Sequence, residues 1–597
     1  MANSPDDGRP RGAFARAWQR LLRASEQRAV DEQTVLIVCA VIIGALASVG
    51  TVGFYALLDG AYALVFRWTT HGIPLIPRLV YQPITTAIAL LGAWVVWQRV
   101  GAGDDGLTVP DIQLAVIRRA GRVPFGKAAG RTAASVITIG GGGSAGSEGP
   151  VAVLGAALAS RFSESLRFGD ARARVLVGAG AAAGISAAFN APLAGAFFAL
   201  EEVVGTFRGD AFAPVVISSV TAAVISRAAF GNHPAFSLPE RYGYDSALEV
   251  LWAFPLVGIA CGFAAALFVR QHFAMADLLG RWRRRLPHPA LLPAIAGLIV
   301  GTAVTLSSGV LVGVGHLAIP LERFAAMSAW TLLLLTAGKI IITTLTLQAG
   351  GSGGVFTPSL FAGATLGSMV AVVLRTVVPG FTSAPEAYAL VGMAAMVAAT
   401  TGAPITAALL VFEITGDYAI MLPLMTCVAI SQLIAGRFSV DTLYTGWLRR
   451  RGERIEHGRD RRALDDIRVR SIQATEAPMV RDSAPIGVAV ACFAQGAPGV
   501  LPVVDDEQRL VGVLTATEIG ALARAPRELD GLLVAGDLAV PSEVVSADDS
   551  LTVAVGQMNR RGVEALPVVE SSTGRVVGVV DRGHLLAAYE RAVSGVV

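Results

Sequence analysis

The chain has 597 residues, 53% of them hydrophobic and only 16% charged, and its mean hydropathy is +0.59. Soluble proteins carry about 25% charged residues, so an ordinary soluble enzyme or binding domain is excluded for most of the length, and a formal net charge of +3 gives no case for a nucleic-acid partner. The four cysteines, Cys39, Cys261, Cys427 and Cys492, are scattered without metal-ligand spacing, which implies neither a disulfide framework nor a zinc site.

Residues 1–32 read as a cytoplasmic arm rather than a cleaved signal peptide, with Arg9, Arg11, Arg16, Arg20, Arg23 and Arg28 among Pro and Gly. From residue 33 to 447 the apolar runs follow one another, for example 34–58, 84–97, 291–306 and 330–345. Each approaches or exceeds the ~20 apolar residues that a spanning helix needs. Arg118, Arg119, Arg122, Lys127 and Arg131, then Arg281 and Arg283–Arg285, mark inner loops, and Arg449–Arg451, Arg454, Arg459, Arg461 and Arg462 form a basic linker over 448–465. The preference of basic loops for the inner side places both termini in the cytoplasm of a multi-pass protein of the cell's inner (plasma) membrane.

Between the first basic cluster and the next apolar helix stands Gly140-Gly-Gly-Gly143-Ser144-Ala145-Gly146-Ser147-Glu148-Gly149-Pro150. Pro150 suits the first turn of a helix, whose N–H groups have no intrahelical partner. Glycines before it allow close approach to those donors, so the segment builds an anion site and sets one carboxylate, Glu148, beside it. The run lacks the Gly-Lys-Ser/Thr ending of a phosphate loop and lies in an apolar region, which argues against a nucleotide-dependent enzyme.

The landmarks recur. Gly146-Ser-Glu-Gly-Pro150 is echoed by Gly354-Val355-Phe356-Thr357-Pro358. Asn190-Ala-Pro192, ending at Glu201-Glu202, is echoed by Gly402-Ala-Pro404, ending at Glu413. Pro150 and Pro358 are 208 residues apart and Pro192 and Pro404 are 212 apart (358 − 150 and 404 − 192). Interrupted segments at matching places in two halves point to a repeat transporter with its ligand site between the halves. Pieces such as 151–159 and 359–374 are shorter than a full span, which predicts partial helices whose N-terminal dipoles converge on a shared anion. The membrane part ends at Asp441-Thr-Leu-Tyr444-Thr-Gly-Trp-Leu448.

Residues 466–597 repeat with a period of 65, from Leu501-Pro502-Val-Val504 to Leu566-Pro567-Val-Val569, each followed by a charged turn and a second β-branched strand. This predicts two α/β units of two strands and a helix.

These motifs, in this order, resemble the CLC chloride channel and transporter family over residues 35–447, and the tail resembles a tandem pair of CBS domains. The resemblance implies an all-α polytopic inverted repeat with many tilted and partial helices, assembled as a homodimer with one pathway per subunit. It assigns Glu148 as the gating glutamate, which exchanges with the anion, and Glu202 as the internal proton-transfer glutamate. Gly146, Ser147 and Gly149 beside the gate, Leu107 and Thr108 of the first loop, the amides of Val355 and Phe356 and the phenol of Tyr444 form the anion-binding set, and Glu413 is a structural echo of the acidic pair. The implied function is proton-coupled chloride exchange; the alternatives are a passive, pH-gated chloride channel of the same fold and an exchanger that prefers another small anion. No catalytic residue, metal or obligatory cofactor is implied.

Two departures stand out. The family's first anion loop, Gly-Ser-Gly-Ile-Pro-Glu, reads Gly106-Leu107-Thr108-Val-Pro-Asp111 here. Leu107 cannot donate where a serine hydroxyl would, so either Thr108 substitutes or the anion relies on Tyr444 and backbone amides. Ser147 replaces the basic residue usual before the gating glutamate, which weakens the positive field at the outer mouth. In the tail, Thr515-Ala-Thr-Glu518 is close to the CBS ribose motif with Glu for Asp, while Asp581-Arg-Gly-His584 departs from it. An adenine nucleotide at the CBS pair and a ligand-free dimerisation and tethering module are both compatible with these residues.

Overall fold

The apolar runs form helices. The computed structural model describes residues 32–67, 78–100, 107–205, 209–231, 243–244, 246–312, 321–381, 383–453, 467–472, 477–494, 499–522, 533–561, 563–585 and 587–588. The N-terminal arm, Gly106 and most of the basic linker lie outside them. Two compact units result, Met1–Glu453 and Arg454–Val597.

Among the described residues of the first unit, seven helices are long and apolar enough to cross a membrane: Gln33–Phe66, Leu79–Arg99, Ala211–Phe230, Glu249–Arg285, Ala329–Ala349, Phe356–Val377 and Tyr418–Phe438. Leu291–Leu306 and Pro404–Thr415 are apolar but shorter. The helix expected over 359–374 extends beyond that piece at both ends. The helix runs Phe356–Val377, 22 residues, because Thr357-Pro358 occupy its first turn, where proline fits without loss of a hydrogen bond. Its counterpart Glu148–Leu166 has 19 residues and likewise starts ahead of its proline.

The two halves pack alike. Glu148–Leu166 lies on Asp170–Phe189, and Phe356–Val377 on Pro385–Thr401. Gly155 opposes Gly180 so closely that a Cβ on either would collide with the other's carbonyl, and Gly363 opposes Gly392 in the same way. The offsets are the sequence's own, 363 − 155 = 208 and 392 − 180 = 212. Small residues let helix backbones touch, which supplies packing where no hydrophobic force separates helix from lipid.

In the second unit each repeat is a three-stranded sheet. Val480–Arg481 pairs parallel with Val500–Val504, which pairs antiparallel with Leu510–Thr515. Val545–Ser546, Ala565–Val569 and Val576–Asp581 repeat the pattern, including the register shift at Val503/Val504 and Val568/Val569. The short leading strand of each repeat is an addition to the sequence reading; two residues show no alternation from which to predict it.

Candidate functional site: a carboxylate between two helix N-termini

The glycine run does not face a ligand alone. Gly146 N–H donates to Gly354 O (2.8 Å) and Gly354 N–H to Gly146 O (2.7 Å), so the two echoing loops are tied into a two-residue antiparallel bridge. Around it, Ser144 N–H donates to Thr346 Oγ1, the Ser144 and Thr343 hydroxyls meet at 2.8 Å, and those of Ser135 and Ser352 at 2.8 Å. The bridge brings the N-termini of Glu148–Leu166 and Phe356–Val377 to one place. Unpaired helix-start amides carry about half a positive charge there.

Glu148 occupies that place. It is 2% exposed. Its carboxylate folds back onto Gly146, where any Cβ would collide with it, and lies 3.1 Å from the Cβ position of Gly354. Both oxygens are buried and neither completes a hydrogen bond of normal geometry, although the amides of Glu148 and Thr357 act on the carboxylate. A buried charge without fixed partners is costly and is retained where it functions. Next to it the Ser147 hydroxyl meets Tyr55 Oη at 3.0 Å.

Gly149, Val355, Tyr444 and Thr108 line one cavity of about 240 Å3 beside the bridge. Leu107 is buried and does not line it. The Thr108 hydroxyl donates to Asp111 Oδ2 (2.7 Å), which also accepts from Thr108 N–H (2.6 Å). Its single proton is therefore engaged in capping the Val109–Arg118 helix, and Asp111 is in turn ion-paired with Arg451. Phe356 is buried, its ring 5.8 Å from that of Phe189. The Tyr444 phenol lies within electrostatic reach of both Glu202 and Glu148.

The acidic pair divides. Glu201 accepts from Ile405 N–H (3.2 Å), Thr406 N–H (2.9 Å) and the Thr406 hydroxyl (2.7 Å), capping the Pro404–Thr415 helix. Glu413 accepts from Leu193 N–H (2.8 Å) and Ala194 N–H (2.7 Å), capping the Pro192–Phe198 helix. Each half thus caps the other's helix. Glu202 follows Glu201 in a π-helical turn, Ala199–Val204. It is buried against the Gly402–Thr442 corner, and among the described residues no hydrogen bond engages its carboxylate.

Sequence reasoning passed over Lys339, which is fully buried. Its Nζ donates to Leu311 O (3.2 Å) and Val312 O (2.7 Å), lies 5.0 Å from the Phe361 ring centroid, and acts electrostatically on Glu148. The signal was a lone lysine inside an otherwise uncharged run. Arg131, taken as a loop marker, lies in the Phe125–Gly140 helix, its guanidinium 5.5 Å from the Trp97 ring centroid and 3.5 Å from Gly353 O.

In the tail, Glu518 Oε2 accepts from Thr515 N–H (2.9 Å) and from the Thr515 hydroxyl, and Asp581 Oδ1 accepts from His584 N–H (2.8 Å). Both carboxylates read as ribose ligands are engaged in capping the helices that follow their strands.

Comparison with known proteins agrees with this architecture. The family described as voltage gated chloride channel matches residues 87–436, and CBS domains match 469–519 and 535–591. A ClcB-like protein of Ralstonia nicotianae is 36% identical over 54% of this chain and 74% of its own length. The H(+)/Cl(-) exchange transporter ClcA of Vibrio parahaemolyticus is 34% identical over 49% of this chain and 64% of its own. The crystal structure of a slow cyanobacterial Cl-/H+ antiporter superposes with a TM-score of 0.62 at 24% identity, covering 71% of this chain and 98% of that one. The chain belongs to the voltage gated chloride channel (CLC) family, with its all-α inverted-repeat membrane fold followed by a pair of CBS domains.

Proposed function

We propose that this protein exchanges chloride for protons across the membrane, with Glu148 as gate and Glu202 as the inner proton-transfer acid. The observation that carries the reading is the Glu148 carboxylate itself, lodged where two helix N-termini converge and, among the described residues, hydrogen-bonded by no side chain. An ionised carboxylate there is a tethered anion competing with chloride for the same amides. Once protonated it is neutral and loses its attraction to the helix ends, so one site takes either a proton on Glu148 or a chloride in its place. Glu202, buried beside Gly402 and with no hydrogen bond to its carboxylate among the described residues, supplies the second acid that a passive channel does not need. The similarity to exchange transporters named for H+ and Cl- supports the same reading.

Donors to the central anion are the amides of Val355 and Phe356 and the Tyr444 phenol; with the Thr108 proton on Asp111 and Leu107 apolar, no first-loop hydroxyl joins them. The chain works as a homodimer in the plasma membrane with both termini in the cytoplasm, and the CBS pair takes an adenine nucleotide as a regulator, read by adding ATP or AMP to the flux assay. The deciding experiment reconstitutes the chain in liposomes and imposes a chloride gradient. Uphill proton movement is expected; robust chloride flux without it would leave the passive channel.

A further inference from the structure

The helix Glu32–Tyr62 carries a polar line that the anion site does not use. Between Val35 and Gly60 its hydroxyl and carboxyl side chains are Ser48, Thr51, Tyr55 and Asp59. Spacings of 3, 4 and 4 put them on one face of the helix. Polar groups inside a membrane helix are costly, so each is expected to serve a partner or a function. Ser48 serves a partner: it donates to Ala222 O (2.9 Å) and clips the neighbouring helix. Tyr55 is placed differently. Its ring lies edge-on to Phe54 and Phe230, and its Oη meets Ser147 Oγ at 3.0 Å, with both residues of the pair buried.

Ser147 immediately precedes Glu148, and Asp59 stands exposed one turn beyond Tyr55, ~6 Å along the helix axis. Glu148 and Asp59 both act electrostatically on Tyr55, and Lys339 acts on Glu148. With the N-terminus in the cytoplasm, as proposed above, this helix ends at the outer face. Asp59, Tyr55, Ser147 and Glu148 then follow one another inward from that face.

From this juxtaposition we infer that Tyr55 and Ser147 form an outer proton relay to Glu148, opening to solution at Asp59. The inference rests on the proposed exchange and adds the route by which its gate is protonated from outside. A hydroxyl can accept one hydrogen bond while donating another. A proton from the outer solution enters on Tyr55 Oη as the phenol's own proton passes to Ser147 Oγ and the serine's own proton passes to the Glu148 carboxylate. Each hydroxyl gains one proton and loses one, and only Glu148 changes charge. Against Gly146 neither Glu148 oxygen completes a hydrogen bond, so the last transfer takes place as the carboxylate turns from Gly146 to Ser147. An arginine or lysine at position 147 has no acceptor and could not pass a proton on.

The test reconstitutes the full chain in liposomes, imposes a chloride gradient, and reads protons moved per chloride. Tyr55→Phe keeps the ring and removes the hydroxyl, and this ratio should fall at least about tenfold, less than the ~10²-fold of losing the acid itself because water reaches the outer mouth. Ser147→Ala should lower the ratio to the same extent. The double variant should be no lower than either single one, because the two hydroxyls act in series. Ser48→Ala breaks a buried bond of the same helix outside the relay and should keep the parent ratio. A parental ratio in Tyr55→Phe or Ser147→Ala, losses that multiply in the double variant, or an equal fall in Ser48→Ala overturns the relay and leaves the exchanger standing. A parent that moves no proton uphill overturns the exchange reading and the relay with it. If one relay variant elutes as an aggregate on gel filtration, the other decides.

Discussion

The two halves of the membrane unit are built to one plan and differ at two buried acids. Gly146 and Gly354 bond to each other, Gly155 and Gly363 receive their partner helices alike, and Glu201 and Glu413 cap each other's helix starts. With the same offsets, Glu148 corresponds to Phe356 (148 + 208) and Glu202 to Ile414 (202 + 212). The acid that has an echo is hydrogen-bonded in a structural cap. The two acids without an echo are buried, and among the described residues no side chain hydrogen-bonds their carboxylates. On the proposed function, the acids that keep the symmetry hold the scaffold and the two that break it carry the exchange.

The largest effect expected from this contrast is at Glu148. Glu148→Gln keeps the size and removes the proton, so proton movement should fall on the order of 10²-fold, the scale of losing a placed proton-transfer group. Chloride flux should persist and lose its pH dependence. A liposome assay that still shows a pH-dependent, coupled flux would take the gate away from this residue. Glu202→Val replaces the second unmatched acid with an aliphatic side chain, near to what Ile414 supplies in the other half. Chloride flux is expected within a few-fold of the parent with proton coupling lost, and retained proton transport would place the inner acid elsewhere.

Much of this was legible in the sequence, and the reasons are local. The Gly-Pro landmarks and their offsets of 208 and 212 announced a duplicated scaffold, because helix starts are written in Pro and Gly. Glu148 was legible because a carboxylate in a glycine run within an apolar region has few uses. The reciprocal capping was not, since bonds across more than 200 residues leave no trace in local pattern. Nor was Thr108 legible: Thr-x-x-Asp reads equally as anion donor and as helix cap, and only the 2.7 Å bond to Asp111 separates them. Thr515-x-x-Glu518 held the same ambiguity. Lys339 and Arg131 carried visible signals that other readings absorbed, the first as part of an apolar run and the second as a basic loop.

The symmetric acids give a sharper and smaller test. Glu201→Ala leaves Ile405 and Thr406 amides without their acceptor, and Glu413→Ala does the same to Leu193 and Ala194. Each should cost about 0.5–2 kcal/mol, the usual penalty of losing a helix cap, seen as a lower thermal unfolding midpoint in detergent. The two losses should be similar in size, and the ratio of chloride to protons should not move in either variant. A changed ratio in Glu201→Ala alone would mean that the symmetric acid also carries protons and that symmetry does not sort the two roles.

The tail contains a weaker version of the same contrast. Its repeats share strand order and register shift, yet one caps its helix with the Thr515–Glu518 pair and the other with Asp581 and the His584 amide. Hydrogen bonds from Thr515 hold the Glu518 carboxyl below the usual glutamate range. A carboxylate with a depressed folded pKa contributes stability that is fully present above the unfolded pKa and is lost as pH falls through the folded value. Thr515→Val removes the hydroxyl donor and should lower stability by about 0.5–1 kcal/mol at pH 7, as expected for an exposed cap. The difference from the parent should hold from pH 7 down to the ordinary glutamate range and shrink as thermal scans continue below it, where the acid protonates first in the unfolded chain and then in the folded one. A difference that stays constant over that range would mean that Thr515 acts through packing rather than through the charge on Glu518, and would remove an electrostatic distinction between the two tail repeats.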